Sequence, residues 1–126
     1  MPRNLPSLSQ AVKLQKHAAR VGFDWPSLAP VMAKMREELA ELDEAARGGD
    51  VEALRNEFGD LLFVMANVAR HLRIEPESAL SQTNVKFRRR FARIEALLAA
   101  AGRTPDDASL EEMDALWDQA KREEKA

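Results

Sequence analysis

Two pairs of acidic residues in the first half of the sequence have the residue type and spacing of a metal site. Glu38 and Glu41 lie three residues apart in MREELAEL (35–42), and Glu57 and Asp60 have the same spacing in EFGD (57–60). Residues three apart are neighbours on a helix surface, so each pair would present two carboxylates on one side. Ligand sets made only of oxygen favour hard cations, Mg²⁺ first and Mn²⁺ second.

Helix geometry places these acids beside the predicted buried faces. With about 100° of rotation per residue, the apolar face that begins at Leu28 centres near roughly 350°, whereas Glu38 and Glu41 fall at about 280° and 220°. Glu37 lies farther round, at about 180°. If the two helices pack antiparallel, four carboxylates surround one small volume and require a compensating cation. Two ordinary solvated acidic faces are the alternative, because charged residues are mostly exposed.

Charge is distributed in blocks along a chain of net charge −2. Residues 37–60 contain nine acids and two bases, whereas NVKFRRRFAR (84–93) contains five bases and no acid. Lys86 and Arg90, four residues apart, share one flank of a helix and could hold phosphate oxygens. A solvated basic face is the alternative, and one short basic run in an acidic chain argues against a nucleic-acid partner.

Trp117 and Lys121 are also four residues apart, in the last predicted helix. The indole could stack on a nucleobase while the ammonium reaches a phosphate. Alternatively, Trp117 belongs to the apolar face of its helix and anchors that helix to its neighbour. His17 and His71 have no ligand-like spacing and are interpreted as structural or solvated.

Periodicity and end signals predict an all-α fold of four or five helices in a single domain covering 1–126. The third helix contains LLFVM (61–65), which is apolar almost all the way round and favours burial in a homodimer or a higher oligomer that completes the bundle. TPDD (104–107) is predicted to be a loop. The expected helices span about 8–21, 28–48 after a cap at Ser27, 51–73 after a cap at Asp50, 76–101, and 110–124 after a capping box of Ser109 and Glu112.

Composition excludes several classes of protein. The 126 residues are 45% hydrophobic and 32% charged, which is typical of a soluble globular chain and not of a disordered one. The absence of cysteine excludes disulfides, thiolate metal sites and a cysteine nucleophile. The longest apolar run, LLFVMA (61–66), is far shorter than the roughly 20 residues of a membrane span, and no secretory pattern is present. A cytoplasmic protein without membrane association is expected.

The arrangement EELAE (37–41) followed by EFGD (57–60) resembles the signature of MazG-type nucleoside triphosphate pyrophosphohydrolases. The resemblance extends over nearly the whole chain, through KLQKHAARVGFDW (13–25), GDLLFVMANVARHL (59–72), NVKFRRRF (84–91) and LEEMDALWDQAKREE (110–124). In longer relatives of this family, which carry two such domains, the sequence is most similar to the C-terminal one.

The resemblance implies an all-α, Mg²⁺-dependent enzyme that converts a nucleoside triphosphate to its monophosphate and pyrophosphate, with a role in cleaning nucleotide pools. It implies catalytic metal ligands at Glu38, Glu41, Glu57 and Asp60, and a role for Glu37 in positioning water or ligand. It also implies nucleotide contacts at Lys34, Asn56, Lys86, Arg90, Trp117 and Lys121. A non-enzymatic helical bundle that binds protein or nucleic acid through its basic helix is the alternative.

Overall fold

The computed structural model describes residues 5–125, and its regular secondary structure is entirely helical. The all-α prediction is therefore confirmed. None of the helices in this range combines the length and apolar character that crossing a bilayer requires. The five α-helices, whose ends agree with the predicted ones to within two residues, are α1 Ser7–Ala19, α2 Leu28–Gly48, α3 Val51–His71, α4 Pro76–Ala100 and α5 Leu110–Glu124.

The turn between α2 and α3 follows from two residue types. Gly49 adopts φ of 76°, a left-handed conformation that glycine takes without strain, and ends α2. Asp50 begins α3, and its Oδ1 atom accepts hydrogen bonds from the backbone N–H groups of Glu52 and Ala53 at 3.0 and 3.4 Å. Ser27 occupies the corresponding position before α2, but its side chain makes no capping hydrogen bond, so that part of the prediction is wrong.

The segment before α5 is more ordered than the sequence predicts. Pro105–Asp107 forms a short 3₁₀ helix, because the Asp107 carboxylate accepts from the Thr104 N–H at 2.9 Å while Thr104 caps the turn in return. The predicted loop is thus corrected to a capped turn. Ser109 caps α5 by accepting from the Glu112 N–H at 3.1 Å, and the Glu112 carboxylate pairs with Arg103.

The described helices form two compact units that divide the chain between Ala79 and Leu80. In the first unit α3 packs against both α1 and α2. Its buried apolar residues include Ala11, Val12 and Ala66, which cluster together, and Val31 on α2. Because the connection at Gly49 and Asp50 is so short, α2 and α3 are antiparallel neighbours. A single domain over 1–126 stays a prediction.

The second unit pairs the greater part of α4 with α5. Ile94, Leu98 and Ala120 are its buried apolar residues. Arg103 pairs with Glu112 near the start of α5, whereas Arg90 pairs with Glu124 at its end, so the two helices run antiparallel.

Several apolar residues that periodicity assigns to buried faces are exposed in this chain. Phe58 and Met65 on α3 are 53% and 47% exposed, and Leu39 on α2 is 56% exposed. Because α3 turns the side that carries Ala66 toward the core, an apolar stripe spaced i, i+4, i+7 remains at the surface. We call it the α3 stripe: Phe58, Leu62 and Met65.

Candidate metal and nucleotide site

Three of the four predicted metal-binding carboxylates meet at one point of the first unit. Oxygen atoms of Glu38, Glu41 and Glu57 all lie within 4.8 Å of one another. The antiparallel packing of α2 and α3 brings Glu57 across from the pair on α2. Glu38 is only 6% exposed and Glu57 is half-buried. We call these three residues the carboxylate cluster.

Asp60 lies outside this cluster. It follows Glu57 by one turn of α3, but its side chain is exposed. Aspartate is one methylene shorter than glutamate, so from this position its carboxylate has less reach toward α2. The described structure therefore assembles three of the four predicted ligands, and the role of Asp60 stays a prediction.

The electrostatics of the carboxylate cluster favour a cation. Within the described residues, Oε2 of Glu38 and Oε2 of Glu57 are buried and accept no hydrogen bond. Such atoms are costly to leave without a partner. The pKa of Glu41 is raised, first by the negative charge of Glu38, then by burial and by Glu57. Three oxygen ligands in this state suit a hard divalent ion, and thus the residues present fit Mg²⁺.

Lys34 places a positive charge beside the carboxylate cluster. Its Nζ atom lies 3.3 Å from Oε1 of Glu38 and 3.5 Å from Oε1 of Glu37. Its pKa is raised, chiefly by the hydrogen bond to Glu38. The Glu37 side chain is 57% exposed, and its role in positioning water or ligand stays a prediction. One ammonium beside three carboxylates still leaves the site with a negative charge that a divalent cation can balance.

The remaining predicted nucleotide contacts lie in both units. Asn56 is exposed on α3, directly before Glu57. In the second unit Lys86 is half-buried and lines a cavity of about 280 Å³ together with Arg89. Lys121 is exposed, one turn after Trp117 on α5. For these residues a role in nucleotide binding stays a prediction.

Arg90 and Trp117 are already engaged with other side chains. The guanidinium of Arg90 donates from Nε and Nη2 to Oε1 of Glu124 at 3.2 and 3.1 Å. Its Cζ atom lies 5.2 Å from the centre of the Trp117 ring, and the Phe87 ring lies 5.6 Å from the same indole. These contacts match the packing role that was one of the two interpretations of Trp117. A nucleotide contact at either residue stays a prediction.

The partners of the basic run are a feature that the sequence did not reveal. Arg89 and Arg90 pair with Glu124, and Arg93 pairs with Glu123. The two arginines lower the pKa of Glu124 to about 2. The acidic end of KREE (121–124) was the available signal, but no local spacing rule joins residues thirty or more positions apart.

A second network that the sequence did not reveal fixes the loop between α1 and α2. Oδ1 of Asp24 accepts from Nη2 of Arg70 and lies 3.1 Å from Nε2 of His71. Arg70 also donates to Oδ1 of Asn67 at 2.8 Å. The bond from Arg70 is the main reason that the pKa of Asp24 is lowered. His71 therefore has a structural role, in line with its interpretation from the sequence.

Comparison with known proteins gives a consistent assignment. Residues 27–93, which include the carboxylate cluster, match the MazG nucleotide pyrophosphohydrolase domain. The chain is 46% identical over 126 residues to a nucleoside triphosphate pyrophosphohydrolase of Escherichia coli, with 98% of the chain and 48% of the relative covered. It is 42% identical over 117 residues to the nucleoside triphosphate pyrophosphohydrolase/pyrophosphatase MazG of Thermotoga maritima, covering 93% and 45%.

A third relative, the uncharacterized protein YabN of Bacillus subtilis, is 48% identical over 126 residues, covering 99% of the chain and 26% of the relative. The chain thus spans about half or less of the length of these curated relatives. The match to the family nevertheless covers more than half of the chain. The chain belongs to the MazG nucleotide pyrophosphohydrolase domain family.

Proposed function

We propose that this chain hydrolyses nucleoside triphosphates, including deoxynucleoside triphosphates, to the monophosphate and pyrophosphate in a Mg²⁺-dependent reaction. The observation that carries the proposal is the carboxylate cluster, with its two buried oxygens that accept no hydrogen bond in the described residues. Membership of the MazG family supports the same activity, since two of the matched relatives are named for it.

Glu38, Glu41 and Glu57 would hold the metal, with Asp60 as a fourth ligand. When bound, Mg²⁺ supplies Lewis acidity toward phosphate oxygens and makes water a better nucleophile. Mn²⁺ has similar ligand preferences and is the expected substitute.

The side chains around the carboxylate cluster would orient the substrate and balance its charge. Lys34, held beside Glu38, is placed to neutralise a phosphate oxygen that approaches the cluster. The exposed carboxylate of Glu37 can accept a hydrogen bond from water and so orient it. Lys86 and Arg90 of the second unit are proposed as further phosphate contacts on the basis of the family resemblance alone.

The proposed function is tested by identifying the first product. The protein is incubated with each common nucleoside triphosphate and with oxidised or deaminated analogues, in Mg²⁺ or in EDTA, and pyrophosphate is resolved from orthophosphate. Pyrophosphate that appears together with the monophosphate and only with metal supports the proposal. Orthophosphate as the first product would show cleavage at the γ-phosphate and overturn it.

We further propose that the chain acts as a homodimer, on the basis of the exposed α3 stripe. Phe58, Leu62 and Met65 lie on one side of α3 and are exposed there in the part of the chain that the structure describes. Exposed apolar surface of this kind is typical of subunit interfaces.

Removal of non-standard nucleotides from cytoplasmic pools is the biological role that we propose.

A helical bundle that binds nucleic acid through its basic helix is the second hypothesis. The structure favours it less, because Arg89, Arg90 and Arg93 are already paired with Glu123 and Glu124. It predicts salt-sensitive binding to a polyanion and no stabilisation by Mg²⁺.

A further inference from the structure

The guanidinium group of Arg90 is held from two directions by residues of α5. Its Nε and Nη2 atoms donate to Oε1 of Glu124 at 3.2 and 3.1 Å, and its Cζ atom lies over the Trp117 ring, 5.2 Å from the ring centre. The side chain is only 12% exposed. An arginine ordinarily loses much rotamer entropy when it binds a ligand, whereas here contacts within the chain have already removed that freedom.

Glu124 is itself held in place by a second arginine. Its Oε2 atom accepts from Nε of Arg89 at 2.9 Å while Oε1 accepts from Arg90, so one carboxylate bridges two guanidinium groups of α4. The hydrogen bonds from Arg89 and Arg90 lower the pKa of Glu124 to about 2. The carboxylate is therefore charged, and able to hold Arg90, over the whole neutral range of pH.

The bonds to Glu124 use only one edge of the Arg90 guanidinium. Nε and Nη2 form the side edge of this planar group, whereas Nη1 and the second hydrogen of Nη2 form its end edge. Within residues 5–125, Arg90 donates to Glu124 through the side edge alone. The end edge is a fork of two parallel N–H groups, the geometry that binds two oxygens of a phosphate.

A row of aromatic rings supports Arg90 without directing its hydrogen bonds. Phe87 and Phe91 stack with their ring centres 6.0 Å apart, and the Trp117 ring lies 5.6 Å from that of Phe87. An indole attracts a guanidinium through its face but offers no hydrogen-bond acceptor. The direction in which the N–H groups of Arg90 point therefore depends on Glu124.

A neighbouring ion pair has the same chemistry and serves as an internal comparison. Arg93 of α4 donates from Nε and Nη2 to the carboxylate of Glu123 at 2.8 and 3.1 Å, so it also uses its side edge. Arg93 is 46% exposed, however, and this pair joins α4 and α5 at the surface. A role that only ties the two helices together would be shared by Glu123 and Glu124.

We propose that Glu124 is a positioning residue, which orients Arg90 so that the end edge of its guanidinium meets a phosphate of the substrate. This inference rests on the proposed function, which makes that phosphate part of a nucleoside triphosphate. Glu124 contacts no ligand atom and acts only through Arg90. A donor that is oriented before the ligand arrives binds more tightly than one that the ligand must order.

Binding of inorganic tripolyphosphate in the presence of Mg²⁺, measured by calorimetry, tests this role without requiring hydrolysis. Glu124→Gln keeps the size of the side chain but removes the charge that holds Arg90. We expect roughly tenfold weaker binding, the equivalent of one hydrogen bond to a charged group. Glu123→Gln is the matched control and should bind as the parent does. Equal weakening in both variants would overturn the proposal, because Glu124 would then only join the two helices.

A double-mutant cycle with Arg90→Lys shows whether Glu124 acts through Arg90. Lysine keeps the positive charge but has no fork for Glu124 to orient. We therefore expect Glu124→Gln to cause little further loss of tripolyphosphate binding when Arg90 is already lysine. A tenfold loss in both backgrounds would overturn the proposal.

Nuclear magnetic resonance of the ¹⁵N-labelled protein distinguishes positioning from competition. The probe is an α,β-methylene nucleoside triphosphate with Mg²⁺, and the Arg90→Lys variant assigns the Nε–H signal of Arg90. We expect this signal to exchange slowly with water both before and after the probe binds, because the side edge stays on Glu124. Rapid exchange in the bound state would show that the ligand displaces Glu124 and would overturn the proposal.

The outcomes for hydrolysis and for phosphate binding are separable. Absence of hydrolysis together with weaker tripolyphosphate binding by Glu124→Gln would overturn the proposed function and keep the role of Glu124 toward a phosphate ligand. Hydrolysis by the parent together with unchanged binding by Glu124→Gln would keep the proposed function and overturn the positioning role.

Discussion

The ammonium of Lys34 lies 3.3 Å from Oε1 of Glu38, one turn later on α2, at the edge of the carboxylate cluster. Oε1 of Glu38 is therefore paired with Lys34, whereas Oε2 is buried without a hydrogen-bond partner among the described residues. Oε2 is thus available to bind a cation while the bond from Lys34 to Oε1 keeps the carboxylate oriented.

Glu38→Gln should abolish most of the Mg²⁺-dependent hydrolysis. The loss should exceed the roughly 10–100-fold that removal of a residue merely supporting a metal ligand costs. Without metal the variant should be as stable as the parent or more so, because one of three crowded carboxylates is gone. Hydrolysis rates and thermal unfolding with and without Mg²⁺ measure this. Glu44→Gln, an exposed acid on the same helix, is the control and should behave as the parent.

Stabilisation by Mg²⁺ should depend on the same carboxylates. A ligand that binds only the folded state at about 100 times its Kd adds about 2.7 kcal/mol to the free energy of unfolding. We expect the Tm to rise with Mg²⁺ concentration, to return with EDTA, and to be insensitive to Mg²⁺ in the Glu38→Gln variant. Asp60→Asn should reduce the rise if Asp60 joins the bound metal. An undiminished rise together with full activity in Asp60→Asn would remove Asp60 from the ligand set.

Asp24→Asn should destabilise the first unit. It removes the charge that bonds Arg70 and His71, and the side chains of Asp24 and Arg70 are only 24% and 14% exposed. Hydrogen bonds to partly buried charged groups contribute on the order of 1–2 kcal/mol. Urea unfolding should show a loss of about that size. Asp43→Asn is the control, because it makes the same chemical change in an ion pair with Arg47 that is exposed. This substitution should lower the free energy of unfolding by about 0.5 kcal/mol or less. Equal losses for the two variants would contradict the assignment.

The pairing of α4 with α5 should weaken in acid. The pKa of Glu124 is lowered to about 2 from an ordinary value of 4.5 by Arg89 and Arg90. Its contribution to stability is therefore complete above pH 4.5 and is lost as the pH falls from 4.5 toward 2. The difference in free energy of unfolding between the parent and Glu124→Gln should shrink over that range. Asp118→Asn, an exposed change on α5, is the control. A difference independent of pH would contradict this prediction.

A charge in the α3 stripe should change the oligomeric state. Phe58→Lys places an ammonium on the surface that we propose is buried between two copies, and sedimentation equilibrium should show a shift from dimer to monomer. Ala53→Lys, on another side of the same helix, should leave the dimer intact. A parent protein that sediments as an active monomer would refute the proposed dimer.

The helices could be predicted from the sequence because their end signals are local. Asp50 and Gly49 act on backbone atoms within three residues, so the sequence places the ends of α2 and α3 correctly. Ser27 shows the limit of such reasoning, because its type suits a cap but its side chain makes no capping bond. The 3₁₀ turn at Pro105–Asp107 was missed even though the Thr104 and Asp107 pair that caps it is also local.

The candidate site was only partly predictable for a different reason. The angles of residues around the two helices predict that Glu38, Glu41 and Glu57 lie close together, as the structure shows. These angles take no account of side-chain length. They therefore do not distinguish Asp60 from the three glutamates. The hydrogen bond from Gln15 Nε2 to the carbonyl oxygen of Phe63 and the ion pairs of Glu124 depend on how distant segments pack, which no spacing rule reports. The exposure of the α3 stripe likewise depends on which helices pack against α3, and hydrophobic periodicity does not identify them.

Gly49, with its φ of 76°, also fixes the alignment of α2 against α3. Each residue added to or removed from a helix start turns every later side chain by about 100°, so a change in chain length here would swing Glu57 away from Glu38. The open space around Gly49 would accept a side chain, and only its backbone angle restricts the residue type. Most surface turns tolerate insertions, but this one should be sensitive to chain length, because it sets the position of Glu57 relative to Glu38.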